Sequence, residues 1–381
     1  MVESAVFLCL AHLSNPSQHM KIAFLIQDIS TAGGTERTTC CLAEQLRLQG
    51  HEVSIVSAFK SEKNACYSAD NVEICYLTEK PYTAQLGIVA RLWLLVQAVS
   101  KVRKCAVMKD ADWIICQKIA ATVLAFMAGF RHKSIAAEHF KYGMYTPFLR
   151  RIRHRLYSRM RAVVTLTEKD KHLFVQEHLR EVYCIPNMVS VTPMPYHGWD
   201  SNRIISVGRL TMQKGYDLLL QAVAKIADEM GDFYIDIYGD GEEREALVSQ
   251  CQRLNLTEKV HFRGYTTSIE NEYANSAFYV MSSRFEGFPM VLLEAAACGL
   301  PIVSFDCPEG PAILLKNGGG ILVEKENVNA LSAAILTMIQ NPEKRQQYRE
   351  QLQHVIEPYS PQQIGKQWEE LLTVFTHHNT K

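Results

Sequence analysis

The chain lacks several things a protein of its length often has. Its eleven cysteines include no Cys-x-x-Cys pair, and the adjacent Cys40-Cys41 falls in a helical stretch. Neither a zinc site nor a disulfide framework is expected, and a reducing cytosol fits best. No apolar run reaches the 18 or so residues of a membrane span. The opening Ala5–Leu13 run is short, without a basic flank, and makes a poor signal peptide, so Met20 is a candidate start. Internal repeats and low-complexity tracts are absent, as is an Asp-x-Asp pair with a matching third acid, so no metal requirement is expected. Net charge is also absent, with 40 Lys plus Arg against 40 Asp plus Glu. No nucleic-acid partner is expected.

The 381 residues, 48% of them apolar, can bury a large core, and the length predicts two domains. The neutral total hides an asymmetry. Residues 1–198 hold 24 Lys plus Arg and 16 Asp plus Glu, a balance of +8, and the remainder is −8. The first half is therefore the one to meet an anionic surface.

Strand and helix patterns alternate throughout. Strands are expected at Lys21–Ile26, His51–Ser57, Trp113–Cys116, Ser134–Ala137, Ala162–Thr165 and Val182–Ile185, with helices near 36–49, 84–105, 118–129 and 167–179. Pro186, Pro193, Pro195 and Gly198 punctuate an aperiodic stretch that is expected to link the domains. The pattern restarts with strands Ile204–Val207, Phe233–Tyr238, Val260–Phe262, Ala277–Met281 and Pro301–Phe305, and helices near 215–230, 242–254 and 268–274. This predicts an α/β protein of two doubly wound halves facing each other across a cleft: a domain over 20–187, a linker over 188–200 and a domain over 201–360. A final helix, 361–377, is expected to pack back across the hinge.

Glu286 and Glu294 lie where a strand, a loop and a helix meet, in Ser283-Arg-Phe-Glu-Gly-Phe-Pro-Met-Val-Leu-Leu-Glu294. Pro289 suits the first helical position, and Gly299 with Pro301 ends the helix. A helix that starts at the carboxyl ends of parallel strands offers unpaired N–H groups to phosphate. Two acids beside such an anion site have hydroxyls to hold, and a nucleotide sugar supplies both. Arg209 and Lys214, in Gly208-Arg-Leu-Thr-Met-Gln-Lys-Gly215, follow another strand at the same sheet edge, where two cations neutralise a leaving diphosphate. Gly33 and Gly34 follow the first strand, and Glu138-His139 follows the strand 134–137.

On these residues the chain resembles the large retaining family of GT-B glycosyltransferases known as family 4. The resemblance runs from Lys21 to about Tyr359. Its most specific marks are Phe285–Glu294, Gly208–Gly215, the Gly33-Gly34 loop and Ile185-Pro-Asn187. It implies a GT-B fold of two Rossmann-like domains, acceptor-binding first and nucleotide-sugar-binding second. It also implies that Glu294 binds the ribose, Glu286 the donor sugar, and Arg209 and Lys214 the diphosphate. Backbone N–H groups over Phe288, Pro289, Met290 and Val291 complete the donor site, Gly33 and Gly34 face it, and His139 stands near the transferred sugar. Ser304–Pro311 is similar to members that build O-antigen and exopolysaccharide. The residues before Met20, and Ala312-Ile313 in place of a more polar pair, depart from the family pattern.

The expected reaction is transfer of a hexose or N-acetylhexosamine from a UDP-sugar with retention of configuration, without a metal or other cofactor. Two rivals belong to other classes. A UDP-sugar epimerase of the same fold would need acid and base groups around the sugar, of which no clear set is present. An inactive nucleotide-sugar-binding protein is opposed by the intact Glu286, Glu294, Arg209 and Lys214. Finally, Phe148–Arg161 packs six arginines into twelve residues, with Leu149, Ile152, Leu156 and Met160 at helical spacing. Arg150, Arg151, Arg153 and Arg155 are expected to dock this helix on an anionic membrane, with a polyprenyl-diphosphate-linked or free saccharide as acceptor. This predicts a peripheral protein on the cytoplasmic face.

Overall fold

The computed structural model describes residues 19–62, 67, 69–82, 87–140, 142–307 and 310–378. The Ala5–Leu13 run, the first part of the helix expected over 84–105 and the Pro308-Glu309 pair of the Ser304–Pro311 stretch lie outside them.

Two compact units result. Among the described residues, one runs to Glu138 and also takes in Pro147–Val163 and the chain from Gly365 onward. The other consists of His139–Thr146 and Val164–Ile364.

The first sheet contains strands β1 (Lys21–Ile26), β2 (Glu52–Ser57), β3 (Glu73–Tyr76), β4 (Trp113–Gln117), β5 (Ser134–Ala137), β6 (Ala162–Thr165) and β7 (Val182–Cys184), in the order β3-β2-β1-β4-β5-β6-β7. The second contains β8 (Arg203–Val207), β9 (Tyr234–Tyr238), β10 (Val260–Gly264), β11 (Phe278–Met281), β12 (Ile302–Asp306) and β13 (Gly320–Glu324), in the order β10-β9-β8-β11-β12-β13. The described pairings are parallel, such as Leu25 opposite Cys116 and Ile205 opposite Tyr279. Both sheets are thus Rossmann-like, as the alternating pattern predicts.

Period-2 alternation places helices on both faces of the second sheet. Ile204, Phe278, Val280 and Val303 point into a core shared with the helices Tyr216–Ile226 and Val328–Gln340, while Ile205, Tyr279, Met281 and Ile302 point into one shared with Met290–Ala297. In the first unit the closing helix buries Trp368, Leu372 and Phe375, and Thr376 accepts a hydrogen bond from the Trp113 indole at 3.1 Å.

Two strands and two long helices escaped the sequence patterns. β3 and β13 are edge strands with partly exposed side chains, so they carry less apolar signal than the central strands. The helices Val328–Gln340 and Pro342–Ile356 follow β13, which a run of glycines over 318–320 disguises as loop.

The strand orders matter for function because each reverses direction once, between β1 and β4 and between β8 and β11. Loops after these strands diverge and leave a crevice at the carboxyl edge. The loops concerned are those after Ile26, Gln117, Val207 and Met281.

Candidate active site

In the second unit, the loop after β8 is held from behind. The Gly208 and Leu210 N–H groups donate to the carbonyls of Tyr238 and Asp240, both at 2.9 Å. Met212–Lys214 makes one tight turn that ends at Gly215 with φ +65°. A side chain at Gly215 would have to adopt left-handed backbone and would also run into the carbonyl of Ser282. Gly215→Ala should therefore cost about 1–2 kcal/mol from the backbone alone. It should also displace Lys214; urea unfolding measures the stability cost, and UDP calorimetry on the same variant tests whether this loop holds a nucleotide. Asp217 and Arg284 tie this loop to the one after β11 through two hydrogen bonds of 2.8 and 2.7 Å. Burial pushes the Asp217 carboxyl up, but the hydrogen bonds and charge of Arg284 outweigh it and hold it below the usual range.

That bracing brings Lys214 to Glu286. Lys214 Nζ lies 2.8 Å from Glu286 Oε1, and Ser283 Oγ donates to the same oxygen at 2.6 Å. Glu286 is only 5% exposed, so an unpaired carboxylate there would be strongly unfavourable, and the ammonium with the hydroxyl satisfies it. The nearby Cys307 thiol, buried and facing Glu286, is pushed up to about 12 and stays neutral. Arg209, on the same loop as Lys214, is exposed and among the described residues carries no ion pair. One cation is thus engaged with the acid, while the other extends into solvent.

Glu294 sits on the second turn of the helix Met290–Ala297 and is 6% exposed. Ser190 Oγ donates to its Oε1 at 3.0 Å, and the Tyr273 hydroxyl lies 3.5 Å from its Oε2. Pro289 stands one residue before the helix and accepts from the N–H groups of Leu292 and Leu293, at 3.0 and 3.3 Å. The Met290 N–H turns back to the Phe288 carbonyl at 3.0 Å, leaving Val291 in the first turn without an i−4 acceptor within the helix. The second sheet therefore gathers Arg209, Lys214, Glu286, Phe288, Pro289, Met290, Val291 and Glu294 at its strand ends. Sequence reasoning missed Ser283, Ser190 and Tyr273. Ser283 stood within the same stretch, but Ser190 lies in the segment between the sheets with no local signal.

The remaining expected residues belong to other strand ends. Gly33 and Gly34 open the helix Gly34–Leu48. Gly33 has extended backbone, and the reason for glycine is space, since the Glu36 carboxylate occupies the position a side chain would take. Glu36 in turn pairs at 3.1 Å with Lys118, which has φ +68°, the left-handed region unusual for a lysine. The loops after β1 and β4 are thereby joined, a contact the sequence did not suggest. His139 follows β5 and is half-buried.

One expected residue is corrected. Arg153 does not face outward with Arg151 and Arg155, and Arg150 is half-buried: Arg153 is 0% exposed, and its Nη1 lies 3.5 Å from Glu138 Oε2, which also accepts from the Tyr157 hydroxyl at 2.9 Å. The helix Pro147–Tyr157 turns Arg153 and Leu156 inward, while Arg151, Arg155, Phe148, Leu149 and Ile152 stay exposed. The apolar stripe consequently divides, with Leu156 and Met160 in the core and Leu149 and Ile152 outside.

Comparison with known proteins agrees with this layout. Residues 197–355 match the family described as "Glycosyl transferases group 1", and residues 32–192 match "Glycosyltransferase Family 4". An uncharacterized glycosyltransferase of Haemophilus influenzae is 28% identical over 359 residues, covering 92% of this chain and 99% of its own. The amylovoran biosynthesis glycosyltransferase AmsD of Erwinia amylovora is 28% identical over 368 residues, with the same coverage. Among solved structures, HepE of Anabaena in complex with UDP and glucose superposes with a TM-score of 0.75 at 20% identity, covering 93% of this chain and 100% of its own. With both of its sheets, its two family matches and its relatives in agreement, the chain belongs to glycosyltransferase family 4 and has the GT-B fold.

Proposed function

We propose that the protein transfers a hexose or N-acetylhexosamine from a UDP-sugar, with retention of configuration, to a polyprenyl-diphosphate-linked saccharide in bacterial surface polysaccharide synthesis. The observation that carries this reading is the group Lys214–Glu286–Ser283 beside the exposed Arg209 and the start of the Glu294 helix, all at one sheet edge. Relatives add support: AmsD by its name acts in amylovoran biosynthesis. A Campylobacter jejuni enzyme, 33% identical over 147 residues, is named for a diphospho-undecaprenol-linked acceptor.

In this reading Glu294 holds the ribose hydroxyls and Glu286 those of the sugar. Arg209, Lys214 and the helix N–H groups receive the charge that develops on UDP as the bond from C1 to the phosphate oxygen breaks. The acceptor oxygen forms its bond to C1 on the same face, and its proton passes to the departing phosphate, so no protein base takes part. Losing one such charge contact costs about 3–4 kcal/mol in the transition state. A screen of UDP-sugars against lipid-linked and free acceptors, with the product anomer assigned by NMR, tests the proposal. An inverted product removes the retaining mechanism, and release of UDP without any glycoside redirects the assignment to an epimerase.

Because cationic side chains and helix N–H groups meet the leaving charge, transfer should survive EDTA with less than about a twofold loss. A loss restored by Mg²⁺ would mean that a metal bridges the diphosphate.

The membrane part of the proposal rests on Arg150, Arg151 and Arg155 with the exposed Phe148, Leu149 and Ile152. Among the described residues no helix is long and apolar enough to cross a membrane. Each basic residue at an anionic surface contributes about 1 kcal/mol. The protein should sediment with anionic vesicles at low salt and be released at high salt, and Arg150→Gln/Arg151→Gln/Arg155→Gln should remain in the supernatant. Wild type that stays soluble under every condition would point to a soluble acceptor.

A further inference from the structure

Away from Glu286 and Glu294, the second unit carries a cavity of about 220 Å³ beside the start of the helix Pro342–Ile356. It lies below the roughly 300–1,000 Å³ of sites for drug-sized ligands and suits a single ring. Tyr196 and Trp199 line it, their rings meeting edge to face at 5.3 Å, together with Arg345, Gln346 and Arg349. The Arg349 guanidinium stands 4.1 Å from the Tyr196 ring centre and 5.0 Å from that of Trp199. Its Nη1 is buried and has no hydrogen-bond acceptor among the described residues. Arg345 donates to the carbonyls of Met338 and Ile339, and among the described residues neither arginine has an ion pair. Burial holds both guanidinium groups below their usual range, so this corner of the cavity favours an incoming acceptor oxygen. Two exposed acids, Asp200 and Glu343, complete the lining.

An aromatic ring half open to solvent, a buried donor without an acceptor and flanking carboxylates together match the chemistry of a pyranose. Trp199 is 50% exposed and offers an apolar surface for the C–H face of a sugar. The carboxylates accept from ring hydroxyls, and an oxygen substituent satisfies Arg349. We propose that this cavity is a second saccharide site, which holds one pyranose unit of a saccharide chain apart from the donor site and prefers a unit bearing a carboxylate. The proposal rests on the glycosyltransferase reading above for the class of ligand.

The full-length protein would be titrated with methyl β-glucuronide and methyl β-glucoside, followed by saturation-transfer NMR and tryptophan fluorescence, with UDP titrated in parallel. The glucuronide should bind saturably and more tightly than the glucoside. Trp199→Ala, through loss of the apolar stacking face, and Arg349→Lys, through loss of a charge-assisted contact, should each weaken it roughly tenfold, with UDP affinity unchanged. Trp199→Ala removes a half-exposed side chain, so it serves as the deciding variant if Arg349→Lys does not fold. Absence of saturable binding to wild type, or equal binding by Trp199→Ala, overturns the site. Sugar transfer observed without sugar binding here sinks this inference alone. Trp199-dependent glucuronide binding in a protein that transfers no sugar leaves it standing and sinks the function proposed above.

Discussion

Glu294→Ala and Arg209→Ala should each abolish measurable transfer, a loss of about 100-fold or more in kcat/KM, while the fold survives. Glu294 holds its place through Ser190 and Tyr273, and its removal takes away the acid proposed above to receive the ribose hydroxyls. Arg209 is exposed, so its removal leaves no buried group unpaired. Glu286→Ala should differ in kind. On the proposed assignment of Glu286 to the donor sugar, it should lower turnover more than UDP affinity, and loss of the carboxylate also releases the Lys214 ammonium from its ion pair. UDP calorimetry alongside a transfer assay separates these effects: the Glu294 variant loses nucleotide affinity and the Glu286 variant retains it. Wild-type activity in any of the three would overturn the site.

Arg153→Leu should produce the largest loss of stability, about 3–5 kcal/mol, because it removes the buried guanidinium that pairs with the buried Glu138 carboxylate. The Tyr157 hydroxyl still donates to that carboxylate and supplies only part of what the guanidinium does. Urea unfolding monitored in the first unit measures the loss. Arg153→Leu/Glu138→Leu should recover much of it, since removing both charges also removes the desolvation they share. An Arg153→Leu protein as stable as wild type would show that the pair is not needed for folding, and a variant that recovers nothing would point to a packing role for Glu138.

The tests at Glu294 and Arg153 probe two kinds of information. Lys21–Ile26, Ser134–Ala137 and Ala162–Thr165 lie within the chain's strands with the bounds expected, because central strands of a parallel sheet are apolar on both faces and flanked by glycine or polar turns. The stretch from Ser283 to Glu294 was legible for a similar reason. Its order of strand, loop, proline and helix is set by local backbone preferences, which also place the two glutamates at the carboxyl edge. The family resemblance rested on those same residues.

What the sequence could not decide was pairing at a distance. Helical spacing put Arg153 among five other arginines, but the direction in which it faces depends on Glu138, fifteen residues earlier on a different element. The acid partner of Lys214 lies 72 residues away, Ser190 reaches Glu294 across 104, and Glu36 meets Lys118 across 82. β3 and β13 show a related limit: an edge strand is defined by the neighbour it pairs with more than by its own composition. Local sequence determined where the chain turns and which chemistry each turn carries. Only the folded sheets, which bring the loops after β8 and β11 side by side, decided which charges neutralise one another and which remain available to a ligand.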